Sequence, residues 1–269
     1  MLFTKEKKPP VKPEGHGASN RESLEQFKQR KQSEDVANYL NTEEDWKKEY
    51  EEEYSPKTPV KSKDHKSEEK EASTPKDYLK ERKEWEKFYQ THFKDKVDLS
   101  QVKIPQKPKG NNWRLIFIKK GLTIEATFQK CKKLFNAWKY TNEPLDEVVT
   151  QNTRTPTQHY AIWVKDGQEP DEEYQNQSTQ EADPDMKIGI TLLERLILEI
   201  KYYEENKEKR ENKEKHLDIK GLTYCAGSRD AYGGVPGVYG GGGDSKLRVG
   251  WCNLDYSFPE CGLRVAVSF

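Results

Sequence analysis

The last fifty residues contain two runs in which apolar residues alternate with other residues, and this alternation constrains the fold more than any other feature. In the first run every second residue is large and apolar: Leu247, Val249 and Trp251. The residues between them are Arg248, Gly250 and Cys252. Successive side chains of a β-strand point to opposite faces of a sheet. The run therefore predicts a strand with one face in a core and the other in solvent.

The second alternating run ends the chain. Its apolar members are Leu263, Val265, Val267 and Phe269, and the residues between them are Arg264, Ala266 and Ser268. The pattern predicts a strand whose apolar members face the core. A terminal strand needs a neighbour to hold it, and the compact apolar run His159–Val164 is the expected partner.

Two segments are predicted to form amphipathic helices. Residues Thr123–Tyr140 place apolar side chains, including Trp138, at steps of three and four. Residues Thr191–Tyr203 carry a Leu- and Ile-rich stripe. The second segment opens with Thr191 and Glu194 three residues apart. This spacing is a capping box, in which each side chain accepts a backbone N–H of the first turn.

The N-terminal part of the chain has a different composition. Residues 1–110 are rich in Lys, Glu, Asp, Ser and Pro, and hydrophobic residues make up only 32% of the whole chain. Segments that bury little apolar surface do not offset the entropy lost on folding. Arg21–Tyr54 and Pro75–Phe93 have some helical spacing. We therefore predict a charged arm at 1–110, largely disordered or partly helical, and a folded domain at 111–269.

Charge and targeting features exclude several classes of protein. Lys plus Arg and Asp plus Glu each total 47, so the net charge is zero and indicates no nucleic-acid partner. No apolar run resembles a signal peptide or approaches the length of a membrane span. We expect a cytoplasmic or virus- or particle-associated protein without a signal peptide. Four scattered cysteines do not make a disulfide framework.

The loops between the predicted C-terminal strands are rich in Gly, Tyr, Asp and Asn, the composition that antibody binding loops favour. The run Gly240–Gly243 lacks the Lys-Ser/Thr pair of a phosphate-binding loop. The aspartates lack the spacing of a calcium loop, and no His lies near Cys252 and Cys261. The sequence thus predicts a ligand-binding surface with no catalytic residue, no metal and no cofactor.

Four short pieces in this order resemble a known family. They are Thr223-Tyr-Cys-Ala-Gly-Ser-Arg229, Val235-Pro-Gly-Val238, the strand from Leu247 to Trp251, and Leu263-Arg-Val-Ala-Val-Ser268. The chain from about residue 155 is similar to the variable proteins of diversity-generating retroelements, whose C-terminal residues are rewritten by error-prone reverse transcription. The resemblance implies an α+β, C-type-lectin-like fold of the formylglycine-generating-enzyme type. Two helices and a small, twisted, mainly antiparallel sheet are expected, with the variable region at about 223–269.

The resemblance also implies which residues are diversified. Randomising the adenines of Asn codons that end in a pyrimidine cannot produce Lys, Trp or Glu, which excludes Lys246, Trp251 and Glu260. The allowed positions in loops or on the outward strand face form the predicted ligand-binding set: Asp230, Ala231, Tyr232, Gly233, Tyr239, Gly240, Gly241, Asp244, Arg248, Gly250, Cys252, Asn253, Asp255, Tyr256 and Phe258.

The function expected from these features is non-enzymatic, receptor-like binding of a protein or glycan through a diversified surface. Two alternatives stay open. A formylglycine-generating-oxidase-like enzyme, related by the same fold, would use Cys252 and Cys261 and bind copper. A scaffold protein would dock its partner through the N-terminal arm.

Overall fold

A computed structural model of the chain describes residues 78–110, 112–209, 215–240 and 246–269, and these form a mixed α+β fold. The predicted arm lies outside them as far as residue 77. The helices are α1 (Leu79–Phe93), α2 (Ile124–Leu134), α3 (Leu145–Val148), α4 (Thr179–Ala182) and α5 (Leu192–Asn206). Within 111–269 the two long helices, α2 and α5, agree with the two that were expected, and the four-residue helices α3 and α4 accompany them. Helix α1 lies in Pro75–Phe93, the segment with helical spacing. No helix among the described residues is long and apolar enough to cross a membrane.

The strands form three small sheets. Their bounds are β1 (Trp113–Ile118), β2 (Ala137–Lys139), β3 (Val149–Asn152), β4 (Tyr160–Lys165), β5 (Leu222–Tyr224), β6 (Ser228–Asp230), β7 (Val235–Gly240), β8 (Leu247–Cys252), β9 (Cys261–Leu263) and β10 (Ala266–Val267). The sheet orders are β1-β4-β10, β2-β8-β7-β5-β9 and β3-β6. The pairs β2–β8 and β5–β9 are parallel and the other strand pairs are antiparallel. The strand pairs are therefore mainly antiparallel, as predicted, but they form three sheets instead of the single small sheet that was expected.

Helix α1 belongs to the same core as the rest of the domain. Its residues Trp85, Phe88 and Tyr89 are buried. The Trp85 indole donates a hydrogen bond to the Leu115 carbonyl at 3.2 Å, and the Tyr89 hydroxyl donates to the Phe117 carbonyl at 2.7 Å. The core therefore includes residues before 110. Three aromatic residues on one helical face supply enough apolar area to order a segment that is otherwise highly charged.

The predicted helix Thr123–Tyr140 begins where expected but ends earlier than expected. Its N-cap is Thr123, whose side chain accepts from the Ala126 N–H at 3.1 Å. The helix ends at Leu134, and Ala137–Lys139 instead forms strand β2, parallel to β8. Strand pairing overrides the helical spacing here. As a consequence Trp138 is 46% exposed and does not lie on a buried helical stripe.

Helix α5 is the central helix of the fold. Its capping box is formed as predicted, with both reciprocal bonds between Thr191 and Glu194. The Glu194 carboxylate is fully buried and also accepts from Arg154 and from the Tyr160 hydroxyl. Arg154 lowers the pKa of Glu194 by charge and hydrogen bonding, against the opposing effect of burial. The helix start is therefore fastened to β4 and to the loop before it.

The predicted burial of the first alternating run agrees with the structure, whereas that of the second agrees only in part. Leu247 and Val249 are fully buried and Trp251 packs partly buried against the core, as predicted. The terminal run does pair with β4 through Ala266 and Val267. Leu263 is buried as predicted, but the inward and outward faces of the residues after it are reversed: Arg264 and Ala266 are buried, whereas Val265 and Val267 are half-exposed and Phe269 is 66% exposed.

The reversal follows from a buried cluster of charges around Asp218. One Asp218 oxygen accepts two bonds from the Arg195 guanidinium, at 2.7 and 2.9 Å, and the other accepts from Arg264 at 2.8 Å. Arg195 also binds Glu199 at 2.7 Å. Arg264 faces inward because its guanidinium donates to Asp218 and to loop carbonyls. A buried charge is tolerated when it is paired in this way.

Candidate functional site

The five-stranded sheet has one face in the main core and one face outward. Register brings together side chains that share the outward face: Arg248 lies beside Trp138 of β2 on one side and Tyr239 of β7 on the other. Tyr140 follows β2 and donates its backbone N–H to the Val249 carbonyl at 3.0 Å. We call the following set the aromatic face: Trp138, Tyr140, Tyr239, Arg248 and Gly250.

Close ring contacts organise the aromatic face. The ring centroids of Trp138 and Tyr140 are 3.8 Å apart, and the two side chains are 46% and 57% exposed. The hydroxyls of Tyr140 and Tyr239 are 3.5 Å apart. The Arg248 guanidinium carbon lies 5.7 Å from the Tyr239 ring centroid, within the range of a cation–π contact. Large amphipathic side chains thus lie next to one another in solvent, held by the strands beneath them.

Gly250 allows the Tyr140 ring to lie close to the sheet. A Cβ atom at residue 250 would be 3.3 Å from Cδ2 and 3.7 Å from Cε2 of Tyr140. That separation is tight, but the neighbour is the 57% exposed side chain of Tyr140 rather than backbone, so a small shift of the ring relieves it. Side chains other than hydrogen at 250 would therefore rearrange the aromatic face without disturbing the core.

The rest of the outward face is covered by a second, smaller core. Its buried members are Tyr224, Ala226, Val235 and Leu263, and Tyr174, Leu254, Cys252 and Cys261 pack against them. Cys252 was predicted to be a surface position and is half-buried against this cluster. The covering segments therefore separate Cys252 from the open part of the face that holds Arg248 and Gly250.

A tight turn between β6 and β7 presents Tyr232. One Asp230 oxygen accepts the backbone N–H groups of Tyr232 and Gly234, at 2.8 and 2.7 Å. Gly233 has φ 86°, a conformation that favours glycine. Tyr232 is 99% exposed at the tip and Ala231 is exposed beside it. Asp230 and Gly233 therefore build the turn, while Ala231 and Tyr232 are its presented residues.

Gly240 is not a surface position, contrary to the prediction. It is buried, and a Cβ atom there would be 2.7 Å from the Leu217 carbonyl oxygen and 3.0 Å from the His216 Cβ. Its backbone N–H donates to the Asp218 carbonyl at 2.9 Å. Close approach of two backbones excludes any side chain here. The predicted positions Gly241 and Asp244 lie outside the described residues.

The loop between β8 and β9 carries the remaining predicted residues in exposed positions: Asn253, Asp255, Tyr256 and Phe258. The rings of Tyr256 and Phe258 meet edge to face with centroids 4.6 Å apart, and they are 47% and 44% exposed. Within this loop the predicted positions are all accessible to a ligand.

The sequence prediction missed Trp138 and Tyr140, which contribute the largest rings of the aromatic face. The sequence did contain a signal for them: Trp138 and Tyr140 are two residues apart with Lys139 between them, and a spacing of two predicts that both side chains lie on the same face of a strand. That signal was hidden by the helical spacing that precedes it. These two residues lie outside the segment that the family resemblance marks as variable.

The thiols of Cys252 and Cys261 are held in their neutral form. Burial, with a smaller contribution from Cys261, raises the pKa of Cys252 to about 11. Burial also raises the pKa of Cys261. The thiolate is the form that attacks substrates and binds metal ions. Among the described residues, no group of three or more His, Cys, Asp and Glu side chains is placed to hold a metal ion.

Thiol reactivity provides a test of this arrangement. With a pKa of about 11, about 0.1% of Cys252 is thiolate at pH 8, against about 10% for an ordinary cysteine of pKa near 9. We expect Cys252 of the Cys261→Ser variant to react with an aromatic disulfide reagent about 100-fold more slowly in the folded chain than in urea. The folded rate should rise with pH until about pH 11. Equal rates in folded and unfolded chains would contradict the buried placement.

Comparisons of the chain with protein-family models, with curated proteins and with solved structures found no match.

Proposed function

We propose that the chain is a non-enzymatic ligand-binding protein that uses the aromatic face and the neighbouring loops to bind a protein or glycan. We further propose a C-type-lectin-like fold, with the outward residues of its C-terminal region diversified by a retroelement. The observation that carries the proposal is the alternation in β8: Leu247 and Val249 are fully buried, while Arg248 and Gly250, which alternate with them, are half-exposed on the opposite face. Such a strand tolerates change on one face while the other holds the backbone.

The chemistry of the face supports macromolecular recognition. Trp, Tyr and Arg are the residue types most often found at binding hot spots. The aromatic face combines Trp138, Tyr140, Tyr239 and Arg248 within contact distance of one another. Tyr232 and the Tyr256–Phe258 pair add further exposed rings. Rigid aromatic side chains lose little conformational entropy when they bind, which favours affinity.

A display library tests the proposed binding surface. The full chain would be displayed with four positions randomised, Tyr239, Arg248, Gly250 and Tyr256, and selected on lysozyme, serum albumin and chitin. We expect binders with dissociation constants on the order of 1 µM. Trp138→Ala in each selected binder should weaken binding about tenfold or more, because the fixed aromatic pair contributes to each interface.

The matched control randomises four exposed positions on α1: Lys80, Glu84, Lys87 and Gln90. That surface is helical and charged, and we expect few or no binders from it. Equal yields from the two libraries, or binders that are insensitive to Trp138→Ala, would contradict the proposal.

The oxidase-like enzyme is the alternative function. It requires Cys252 and Cys261 to act as thiolates on copper, and both side chains pack against the same small core. Metal binding needs deprotonated cysteine ligands. A Cys252→Ser, Cys261→Ser double variant that keeps the binding properties of the selected chains favours the binding function. Loss of a copper-dependent oxidase activity in that variant would favour the enzyme.

A further inference from the structure

A cleft of about 620 Å³ shares no lining residue with the aromatic face. Its walls come from the loop that follows β4, from Lys220 just before β5, and from Pro259 and Glu260 just before β9. The volume suits a side chain or a small organic molecule. None of the predicted diversified residues lines it.

The charge of the cleft is strongly negative. Two lysines line it, Lys165 and Lys220, and five carboxylates face them: Glu169, Asp171, Glu172, Glu173 and Glu260. The net charge of the lining is therefore −3. Two of the carboxylates are already engaged. Glu173 pairs with Lys165, and Glu169 accepts the backbone N–H groups of Lys220 and Gly221.

Asp171 distinguishes this cleft from an ordinary acidic surface. It lines the cleft but is only 3% exposed. Its Oδ2 accepts the Val265 N–H at 2.8 Å, whereas its Oδ1 has no hydrogen-bond partner among the described residues. Leaving a buried polar atom unpaired costs about 1–3 kcal/mol, and more when the group is charged. Burial accordingly raises the pKa of Asp171, an effect that the Val265 N–H and Arg264 oppose. A donor placed against Oδ1 would satisfy the atom.

We propose that this cleft binds an organic cation that donates hydrogen bonds, specifically the guanidinium of an arginine side chain in a peptide. Asp171 supplies the buried acceptor, and Glu172 and Glu260 supply exposed negative charge at the mouth. A guanidinium carries five N–H donors in a planar fork, which matches several carboxylates better than a point charge does. The cleft is separate from the aromatic face, so the inference stands apart from the proposed function.

Titration with two blocked amino acids tests the charge requirement. The probes are N-acetyl-arginine methylamide and its citrulline counterpart, which has nearly the same shape and no charge. Amide chemical shifts of the full chain would be followed by NMR. We expect saturable shifts at Gly167–Gln175 for arginine, with a dissociation constant on the order of 1 mM that weakens with added salt. Citrulline should bind at least about tenfold more weakly.

Two variants of the cleft should weaken arginine binding, and a third should strengthen it. Asp171→Asn retains an acceptor for the Val265 N–H and should weaken arginine binding about tenfold. The surface double variant Glu172→Gln, Glu260→Gln should weaken it about threefold, and it stays informative if Asp171→Asn does not fold. Lys220→Gln removes a repelling charge and should strengthen binding about twofold. Glu147→Gln, an exposed change outside the cleft, is the control and should have no effect.

The result that overturns the inference is equal binding of the two probes, no saturable shift at Gly167–Gln175, or weaker binding in Lys220→Gln. Shifts that appear only at β2 and β8 would place the cation on the aromatic face and also overturn it. Trp138→Ala separates the two proposals, because it should leave arginine binding in the cleft unchanged while it weakens the binders selected through the aromatic face.

Discussion

Replacing Asp218 with alanine is expected to lower the free energy of unfolding by about 3–5 kcal/mol. Asp218 is fully buried and is the shared anion between two fully buried arginines, Arg195 and Arg264. It also accepts from the Thr223 hydroxyl at 2.6 Å. Its removal leaves an excess of buried positive charge. Asp218 further has φ 53°, a left-handed conformation that alanine adopts less readily.

Urea denaturation of the full chain, followed by tryptophan fluorescence, measures this loss. Asp218→Asn removes the charge and puts an NH2 donor where one oxygen accepts from an arginine, but it keeps the size of the side chain and one acceptor. Because it leaves no cavity, it should lose less than Asp218→Ala. Asp166→Ala breaks the exposed Arg114–Asp166 pair, in which Asp166 is 47% exposed, and should cost about 0–1 kcal/mol. A loss below about 1 kcal/mol for Asp218→Ala would mean that the cluster does not hold the C-terminal segment to α5.

The second large expected effect is a difference in stability between alanine variants at two glycines of the predicted ligand-binding set. Gly240→Ala should lower the free energy of unfolding by about 2 kcal/mol, because the new Cβ would be 2.7 Å from the Leu217 carbonyl oxygen and a backbone segment must shift. Gly250→Ala should change it by no more than about 0.5 kcal/mol. There the neighbour is the exposed Tyr140 ring, which is able to move.

The same denaturation experiment compares the two variants, and a second readout identifies the cause. Gly250→Ala should alter the near-ultraviolet circular dichroism of the Trp138–Tyr140 pair, because it displaces the ring that rests on Gly250. Gly240→Ala should leave that signal alone until the chain unfolds. Similar losses of stability in both variants would contradict the division of the strands into fixed and changeable positions.

Local signals predicted some elements of this fold well. The capping box of Thr191 and Glu194 marks the start of α5 because its chemistry is complete within four residues. The alternation in β8 identifies its buried face because β8 is an inner strand with one face on the core, and successive side chains of a strand point to opposite faces. Tyr232, Asn253 and Tyr256 were correctly expected on the surface, since their loops have turn chemistry and few apolar neighbours.

The errors arose where distant parts of the chain decide the outcome. Arg264 is buried because Asp218, 46 residues earlier in the chain, lies beside it. Gly240 is buried because the backbone at Leu217 crosses it. Trp138 is exposed because β8 pairs with β2 and ends the helix early. Helix α1 joins the core through Trp85 and Tyr89, although its segment is as charged as the arm before it. Local spacing gave no sign of the contacts that bury Arg264 and Gly240, and for Trp138 and α1 it was too weak to decide the outcome.

If the outward residues of the C-terminal region are diversified while the inward residues stay fixed, natural variation of the gene should follow that division. The gene would be sequenced in sister isolates together with any neighbouring near-repeat of its 3′ end. The account predicts that amino-acid differences concentrate at Tyr232, Tyr239, Arg248, Gly250, Asn253, Asp255, Tyr256 and Phe258, at codons matching adenines in the repeat. Gly240, Leu247 and Val249 should not differ. Differences spread evenly along the chain, or falling on those three buried residues, would contradict it.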